Sequence, residues 1–188
     1  MRLIFIGPPG AGKGTQSTRL CNHYSICHLS TGDILRQAIE DGTELGRKVE
    51  PLMSQGKLVG DELIVSVIKD RIQQDDCADG FLLDGFPRTL PQATSFDTIL
   101  EELPIGIDRV IEIRVPNEEL MRRLLGRAKE SNNPRPDDSE ETISDRLGIF
   151  QSETRPLVEF YEEQSLLLTV DGVGTMDEVF DRIVTGME

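Results

Sequence analysis

The chain has 188 residues, a formal net charge of −14 and an isoelectric point near 4.6. Nucleic acids and anionic membranes bind to broad positive faces, so this charge balance argues against both as partners. The length fits one domain with small excursions, and three cysteines without a C-x-x-C pair or a neighbouring ligand cluster predict neither a zinc site nor a disulfide framework.

Five short apolar runs separated by helical patterns predict a parallel sheet built from β-α-β units. The runs are Leu3–Ile6, Cys27–Leu29, Phe81–Leu83, Val110–Val115 and Leu166–Val170. We therefore expect a doubly wound α/β fold with a five-stranded parallel sheet flanked by helices. No apolar run approaches the roughly 20 residues of a membrane span, and this favours a cytoplasmic protein.

A glycine-rich loop, Gly7–Gln16, follows the first predicted strand directly and leads into a helix predicted over Thr15–Tyr24. Glycines allow backbone N–H groups to turn around phosphate oxygens, and the helix adds its positive N-terminal end. Lys13 supplies a charge for the terminal phosphates. Gly14 stands where most such P-loops carry the Ser or Thr that contacts Mg²⁺. The loop predicts a bound nucleoside triphosphate and no direct protein ligand to the metal.

The segment Ser30–Gly60 interrupts the alternation of strands and helices. It contains short amphipathic pieces punctuated by glycines, and it precedes a helix predicted over Asp61–Gln74. Such a segment is either a plain surface insertion or a mobile cover over a site. Because arginines lie next to it, we favour the cover.

The third strand ends in Asp84 and is followed by Arg88. P-loop proteins place a carboxylate near Mg²⁺ in this way, and open α/β sheets bind ligands at the carboxyl ends of their strands. Six arginines follow strands or belong to the irregular segments and the helices beside them: Arg36, Arg88, Arg123, Arg127, Arg135 and Arg146. Any one of them is by default a surface arginine paired with a nearby carboxylate, but that default accounts poorly for all six, and so many guanidinium groups would be needed where two phosphorylated molecules meet.

The last third of the chain carries a second irregular segment. Asn117 is predicted to cap a helix over Glu118–Leu125, and Gly126–Asp138 then offers no core-facing residues. Asp138 with Glu141 fits a capping box for the next helix, which Pro156 should kink or break.

In these motifs the chain resembles the adenylate kinases, and the resemblance extends over essentially all of its length. The matching stretches are GPPGAGKGTQ at 7–16, LSTGD at 29–33 with Arg36, GKLV at 56–59, DGFPRT at 84–89 with Gln92, Gly126-Arg127, and Arg135-x-Asp137-Asp138 followed by Glu141-Thr142 and Arg146. The resemblance implies Mg²⁺-dependent transfer of the γ-phosphoryl group from ATP to AMP, giving two ADP. It also implies a monomer.

The resemblance assigns roles to residues by position. It places ATP on Gly10, Ala11, Gly12, Lys13, Gly14, Thr15, Arg127 and Gly174. It places AMP on Thr31, Arg36, Lys57, Leu58, Val59, Gly85, Phe86, Pro87, Arg88, Gln92, Arg135 and Arg146. It names Lys13, Arg88, Arg123, Arg135 and Arg146 as the catalytic residues, with Asp84 and Asp33 in the outer shell of Mg²⁺.

The resemblance also divides the single domain of residues 1–188 into three parts. The core comprises 1–29, 60–125 and 139–188, the monophosphate-binding part comprises 30–59, and a short lid comprises 126–138. The lid has no cysteine, so it cannot form the zinc site found in some long lids.

Three alternatives stay open. A uridylate/cytidylate or broad-specificity monophosphate kinase is the first alternative. The uridylate/cytidylate enzymes share the loop and the short lid, but they resemble this chain less at Gln92 and at Thr31. At the position of Thr31 they carry Ala. Gln92 can pair with the N1 and N6 edge of adenine, unless it is a helix residue that faces water. A non-catalytic nucleotide-binding module is the second alternative. A nucleotide-gated switch is the third, although the chain lacks the guanine-reading Asn-Lys-x-Asp run.

Overall fold

Five parallel strands form one sheet in the computed structural model, which describes residues 1–130 and 139–188 apart from the side chains of residues 127–130 and 140. The strands are β1 (Arg2–Ile6), β2 (Cys27–Ser30), β3 (Phe81–Asp84), β4 (Arg109–Arg114) and β5 (Leu167–Asp171). Their order across the sheet is β2-β3-β1-β4-β5. The predicted α/β fold and all five predicted strands are confirmed.

Helices precede, follow and connect these strands. They are α1 (Lys13–Tyr24), α2 (Thr31–Glu40), α3 (Glu44–Ser54), α4 (Asp61–Ile72), α5 (Leu90–Glu102), α6 (Asn117–Glu130), α7 (Glu140–Ile149), α8 (Leu157–Glu163) and α9 (Met176–Met187). A 3-10 turn spans Asp75–Cys77 and a π-helical turn spans Phe150–Thr154. None of the helices described here is long and apolar enough to cross a membrane.

The sheet is buried on both faces because successive residues of a strand point to opposite sides. Leu3 and Phe5 of β1 belong to one apolar cluster, which helices α1, α6 and α9 complete. Ile4 and Ile6 belong to the other, with residues of α4, α5 and α8. Continuous apolar sequence in β1 therefore reflects two-sided burial, as parallel sheets require.

The carboxyl ends of the central strands lie at one edge of the sheet. Asp84, the last residue of β3, is in register with Phe5 of β1 and with Ser30 of β2. The loops that follow these three strands consequently start side by side. This edge is where an open α/β sheet binds its ligands.

The irregular segment after β2 is helical. Ser30 caps α2 by accepting from the Asp33 N–H, and Thr43 caps α3 by accepting from the Gly46 N–H at 3.0 Å. Gly46 lies so close to α2 that an added Cβ would meet the Ala38 carbonyl oxygen at 2.0 Å. The two helices therefore form one closely packed pair, as expected of amphipathic pieces that share an apolar side.

Some helix boundaries differ from the prediction. Helix α7 is capped by Ser139, whose hydroxyl accepts from the Thr142 N–H at 3.1 Å, so the capping box predicted from Asp138 to Glu141 is wrong. Asp and Ser are both favourable caps, and sequence alone could not choose between neighbours. Helix α6 includes Asn117 and continues beyond the predicted end at Leu125. The break predicted at Pro156 is confirmed by the start of α8.

Candidate active site

The glycine-rich loop connects β1 to α1 in a conformation that only glycines adopt easily. Gly10 has a φ of +82°, and an added Cβ there would meet Leu124 Cγ at 2.8 Å. The Lys13 ammonium donates to the carbonyl oxygens of Gly7 at 2.7 Å and Pro8 at 3.0 Å. A backbone loop that ends on a helix N-terminus, with a lysine held at its centre, is the arrangement that binds polyphosphates.

Five basic side chains from distant parts of the sequence line one cleft of about 660 Å³ above this loop. They come from α1, α2, the segment after β3, α6 and α7, and they are Lys13, Arg36, Arg88, Arg123 and Arg146. Asp33 and Asp84 are the carboxylates that line the same cleft. Arg36 is hydrogen-bonded to Asp33. The described lining is thus basic in a strongly acidic chain, and it suits an anionic ligand.

Asp84 lies at the base of this cleft beside His28 and Gly14. Burial raises the pKa of its carboxyl group, but the His28 imidazole and the positive charges of Lys13 and Arg88 lower that pKa by more. His28 Nε2 is 3.8 Å from Asp84 Oδ2. A Cβ on Gly14 would be 3.6 Å from that same oxygen, so the glycine leaves room next to an ionised carboxylate.

A second cavity adjoins the cleft and lies between α2, α3, α4 and the segment after β3. Apolar side chains such as Leu35, Val59 and Ile64 line it together with Thr31 and Gln92. A cavity with apolar walls and a few fixed polar groups is typical of sites that bind small molecules.

Gly85 brings the polar groups of this second cavity together. Thr31 Oγ1 donates to the Gly85 carbonyl oxygen at 3.0 Å, and Arg88 Nε donates to the same oxygen at 2.8 Å. A Cβ on Gly85 would be 2.8 Å from Thr31 Oγ1, so a side chain there would disturb both contacts.

Gln92 is buried, with 2% of its surface exposed. Its Oε1 accepts from the Arg88 N–H at 2.7 Å, and its Nε2 donates to Asp61 Oδ1 at 2.8 Å. The alternative in which Gln92 faces water is wrong. The side chain instead forms part of the wall of the second cavity.

The two cavities share residues and together contain most of the predicted site. The predicted residues that line them are Gly10, Gly12, Lys13, Gly14, Thr15, Thr31, Asp33, Arg36, Lys57, Leu58, Val59, Asp84, Gly85, Arg88, Gln92, Arg123 and Arg146. Pro87 lines a small adjoining cavity that also contains Lys13 and Arg146. These residues are far apart in the sequence, and the fold brings them to one edge of the sheet.

Other predicted residues have different surroundings. The Phe86 side chain is buried and packs edge to face on Phe96 at 5.3 Å between ring centroids, so it does not face either cavity. Ala11 is also buried. Arg135 lies outside the described residues, as do the side chain of Arg127 and residues 131–138 of the predicted lid.

Gly174 lies in the loop between β5 and α9, where an added Cβ would meet Glu178 Oε2 at 2.6 Å. Gly172 of the same loop contacts Arg123. Arg123 Nη2 donates to the Gly172 carbonyl oxygen at 3.0 Å, and Arg123 Nε pairs with Glu119 at 2.7 Å. Helix α6 and the loop before α9 are therefore joined through one arginine of the cleft.

His28 is a residue that sequence reasoning missed. It lies in β2, one residue after Cys27, and no motif marks it. Only the pairing of β2 with β3 brings it to Asp84.

A group of potential metal ligands lies at the opposite end of β2. The Sγ atoms of Cys27 and Cys77 and a carboxylate oxygen of Asp76 lie within 4.8 Å of one another, so the expectation of no ligand cluster near the cysteines is wrong. Arg71 donates to both sulfurs, at 3.3 and 3.1 Å, and to both Asp76 oxygens. Hydrogen bonding to Arg71 lowers the pKa of Asp76 to about 2, and burial raises that of Cys77 to about 12. In this group the guanidinium supplies the positive charge.

Comparison with known proteins gives a consistent result. The family model described as adenylate kinase matches residues 5–166. A protein of that name from Finegoldia magna is 46% identical over a match 213 positions long, gaps included, which covers 100% of this chain and 99% of the relative. A protein of the same name from Thermobifida fusca is 47% identical over 188 residues, covering 100% and 98%. A third, from Leptospira biflexa, is 47% identical over 183 residues and covers 97% of each chain.

Proposed function

The chain belongs to the adenylate kinase family of phosphotransferases, and we propose that it transfers the γ-phosphoryl group of magnesium-bound ATP reversibly to AMP, giving two ADP. Members of this family act on ATP, AMP and ADP. The observation that carries the proposal is the cleft in which Lys13 and four arginines converge beside a second, partly apolar cavity.

Charge explains why so many arginines are needed. At an effective dielectric constant of about 20, two unit charges about 4 Å apart repel by about 4 kcal/mol, and two nucleotides bring several such pairs together. Guanidinium groups stay charged and fork between phosphates. Arg36, Arg88 and Arg146 line both cavities, so these three are placed to neutralise phosphates of both ligands at the junction.

We assign ATP to the glycine-rich loop and AMP to the second cavity. The transfer is direct and in line, without a covalent intermediate. No strong general base is required because the acceptor oxygen of AMP is already anionic. Lys13, Arg88, Arg123, Arg135 and Arg146 hold the phosphates and stabilise the charge that spreads over the transferring group. Proximity itself contributes up to about 7–11 kcal/mol.

The residues at the base of the cleft fit a hydrated Mg²⁺ that arrives with ATP. Asp84 is held in its ionised form, and Gly14 leaves space beside its carboxylate. Asp84, with Asp33, would hold waters of the ion, and no protein atom is assigned as a direct ligand. The metal supplies charge neutralisation for the β- and γ-phosphates.

The same assignment divides the chain by task. Residues 30–59 form the part that binds AMP, residues 126–138 form the lid over ATP, and the remainder forms the core. Closure of the two moving parts would exclude water, which is the competing acceptor. Because one copy of the chain lines both cavities, we propose that it works as a monomer.

One assay tests the proposal. The protein is incubated with MgATP and, in turn, AMP, CMP, UMP or GMP, and diphosphate formation is followed. We expect rapid conversion with AMP, much slower conversion with the other three, and loss of activity when EDTA removes Mg²⁺. Equal or faster transfer to CMP and UMP would favour a uridylate/cytidylate kinase. Nucleotide binding without any transfer would identify a binding module.

A further inference from the structure

Asp61 connects the first turns of two helices behind the second cavity. It is the first residue of α4, and its Oδ1 accepts from Gln92 Nε2 at 2.8 Å and from Thr89 Oγ1 at 3.1 Å. Thr89 is the cap of α5, and it also accepts from the Gln92 N–H at 3.2 Å. Neither the glycine-rich loop nor any other motif of the sequence assigns a role to Asp61.

The contacts of Gln92 fix which way its amide group points. Its oxygen faces the Arg88 N–H, and its nitrogen faces the Asp61 carboxylate. A rotation by 180° would place two acceptors together at Asp61 and two donors together at Arg88. Each unsatisfied buried group costs about 1–3 kcal/mol, so the observed orientation is strongly preferred.

The fixed amide retains hydrogen-bonding capacity for a ligand. A primary amide offers two N–H donors and two lone pairs on its oxygen, and the protein uses one of each at Gln92. One donor and one acceptor remain at the wall of the cavity. A purine base with an acceptor at N1 and an amino group at C6 complements that pair. A flipped amide would instead set its oxygen against N1 and its N–H against the amino group of the base.

We propose that Asp61 is a positioning residue for base selection, which orients the Gln92 amide so that the cavity accepts adenine and rejects bases that carry an N–H and a carbonyl at the same edge, such as uracil. The inference rests on the proposed function, because it assumes that the second cavity holds the monophosphate. Asp61 itself does not line the second cavity. It acts through Gln92, and removal of its acceptor oxygen lets the amide rotate.

The test compares Asp61→Ala with Asp61→Asn. Asparagine keeps an acceptor oxygen for Gln92 and Thr89, and alanine keeps none. For Asp61→Ala we expect KM for AMP to rise about tenfold and the ratio of kcat/KM for AMP over UMP to fall by a similar factor, because uracil presents an N–H and a carbonyl where adenine presents an acceptor and an amino group. The value of kcat with saturating AMP and KM for ATP should change less than twofold. Asp61→Asn should restore KM and selectivity to within about threefold of the original protein.

Two controls separate this role from a structural one. Glu62→Ala removes the next carboxylate in the first turn of α4, and it should leave all kinetic constants unchanged. Thermal unfolding of each variant shows whether the fold is kept. If Asp61→Ala does not fold, Asp61→Ser carries the same expectation, because its hydroxyl is too short to reach Gln92.

The possible failures are distinguishable. If the original protein does not transfer phosphate to AMP, the proposed function is wrong. If it does, but Asp61→Ala keeps the original preference for AMP over UMP, the role of Asp61 is wrong. Equal losses with AMP and UMP, or an Asp61→Asn variant as impaired as Asp61→Ala, would also overturn it.

Discussion

Lys13 illustrates how a single residue is prepared for its ligand. Its ammonium donates to two carbonyl oxygens of the loop that it follows, and these contacts hold a flexible side chain across the glycine-rich turn. Phosphate oxygens carry more negative charge than carbonyl oxygens. A bound polyphosphate can therefore attract the same ammonium without a large movement of the backbone.

We expect Lys13→Ala to lower kcat by about 10²–10³-fold, because it removes a charge that stabilises the transferring phosphoryl group. Stability should change little, since the ammonium lies in the cleft rather than in the core. Lys48→Ala is the matched control, because Lys48 forms an exposed ion pair with Glu44 on α3. Steady-state kinetics with both variants would contradict the prediction if their losses were equal.

At the scale of elements, the important contact is the one between the end of α3 and helix α7. Gly56 follows α3 with a φ of +68°, and an added Cβ would lie 2.7 Å from Thr142 Cγ2 and 3.0 Å from Arg146 Cγ. The close approach places Arg146 beside both cavities. A side chain at position 56 would push α7, and Arg146 with it, away from the AMP-binding part.

A pair of glycine substitutions tests this contact. Gly56→Ala should lower kcat/KM for AMP by about tenfold to a hundredfold, because small displacements of a positioning group are costly in catalysis. Gly42→Ala is the control: Gly42 also has a positive φ, of +62°, but an added Cβ there meets nothing within 4 Å. Both variants share the backbone strain, and only Gly56→Ala disturbs α7. Comparable kinetics for the two would argue against the role given to this contact.

For the whole molecule, the distribution of charge matters more than its sum. The chain carries a net charge of −14, and the cleft lining nevertheless combines Lys13 with four arginines and two carboxylates. Without ligand these cations repel one another. A ligand with phosphates in both cavities would relieve that repulsion, so the two nucleotides should stabilise the folded protein together.

Thermal unfolding tests this expectation with an analogue that links two adenosines through five phosphates. At about 1,000 times its Kd, such a ligand stabilises the folded state by about 4 kcal/mol, which corresponds to a rise in Tm of about 10 °C for a chain of this size. ATP or AMP alone at the same concentration should give a smaller rise. A linked analogue no better than ATP alone would indicate that the two cavities do not bind nucleotides at the same time.

The fold and the phosphate loop were predictable from sequence because their signals are local. An apolar run such as Phe81–Leu83 marks a buried strand wherever it pairs, and the glycines around Lys13 are required by the backbone of the loop itself. The resemblance to a family added roles for residues such as Arg88 and Gln92. It did so by position, without the contacts through which they act.

Only the tertiary structure decided which of these residues meet. The pairing of β2 with β3 brings His28 to Asp84, and the packing of α4 beside α5 brings Asp61 to Gln92. No local pattern encodes either contact, because residues far apart in the chain come together through strand register and helix packing. The sequence by itself thus determined the elements and the phosphate-binding loop. The tertiary structure decided how Gln92 is oriented and how the basic side chains form one cleft, since both depend on long-range packing.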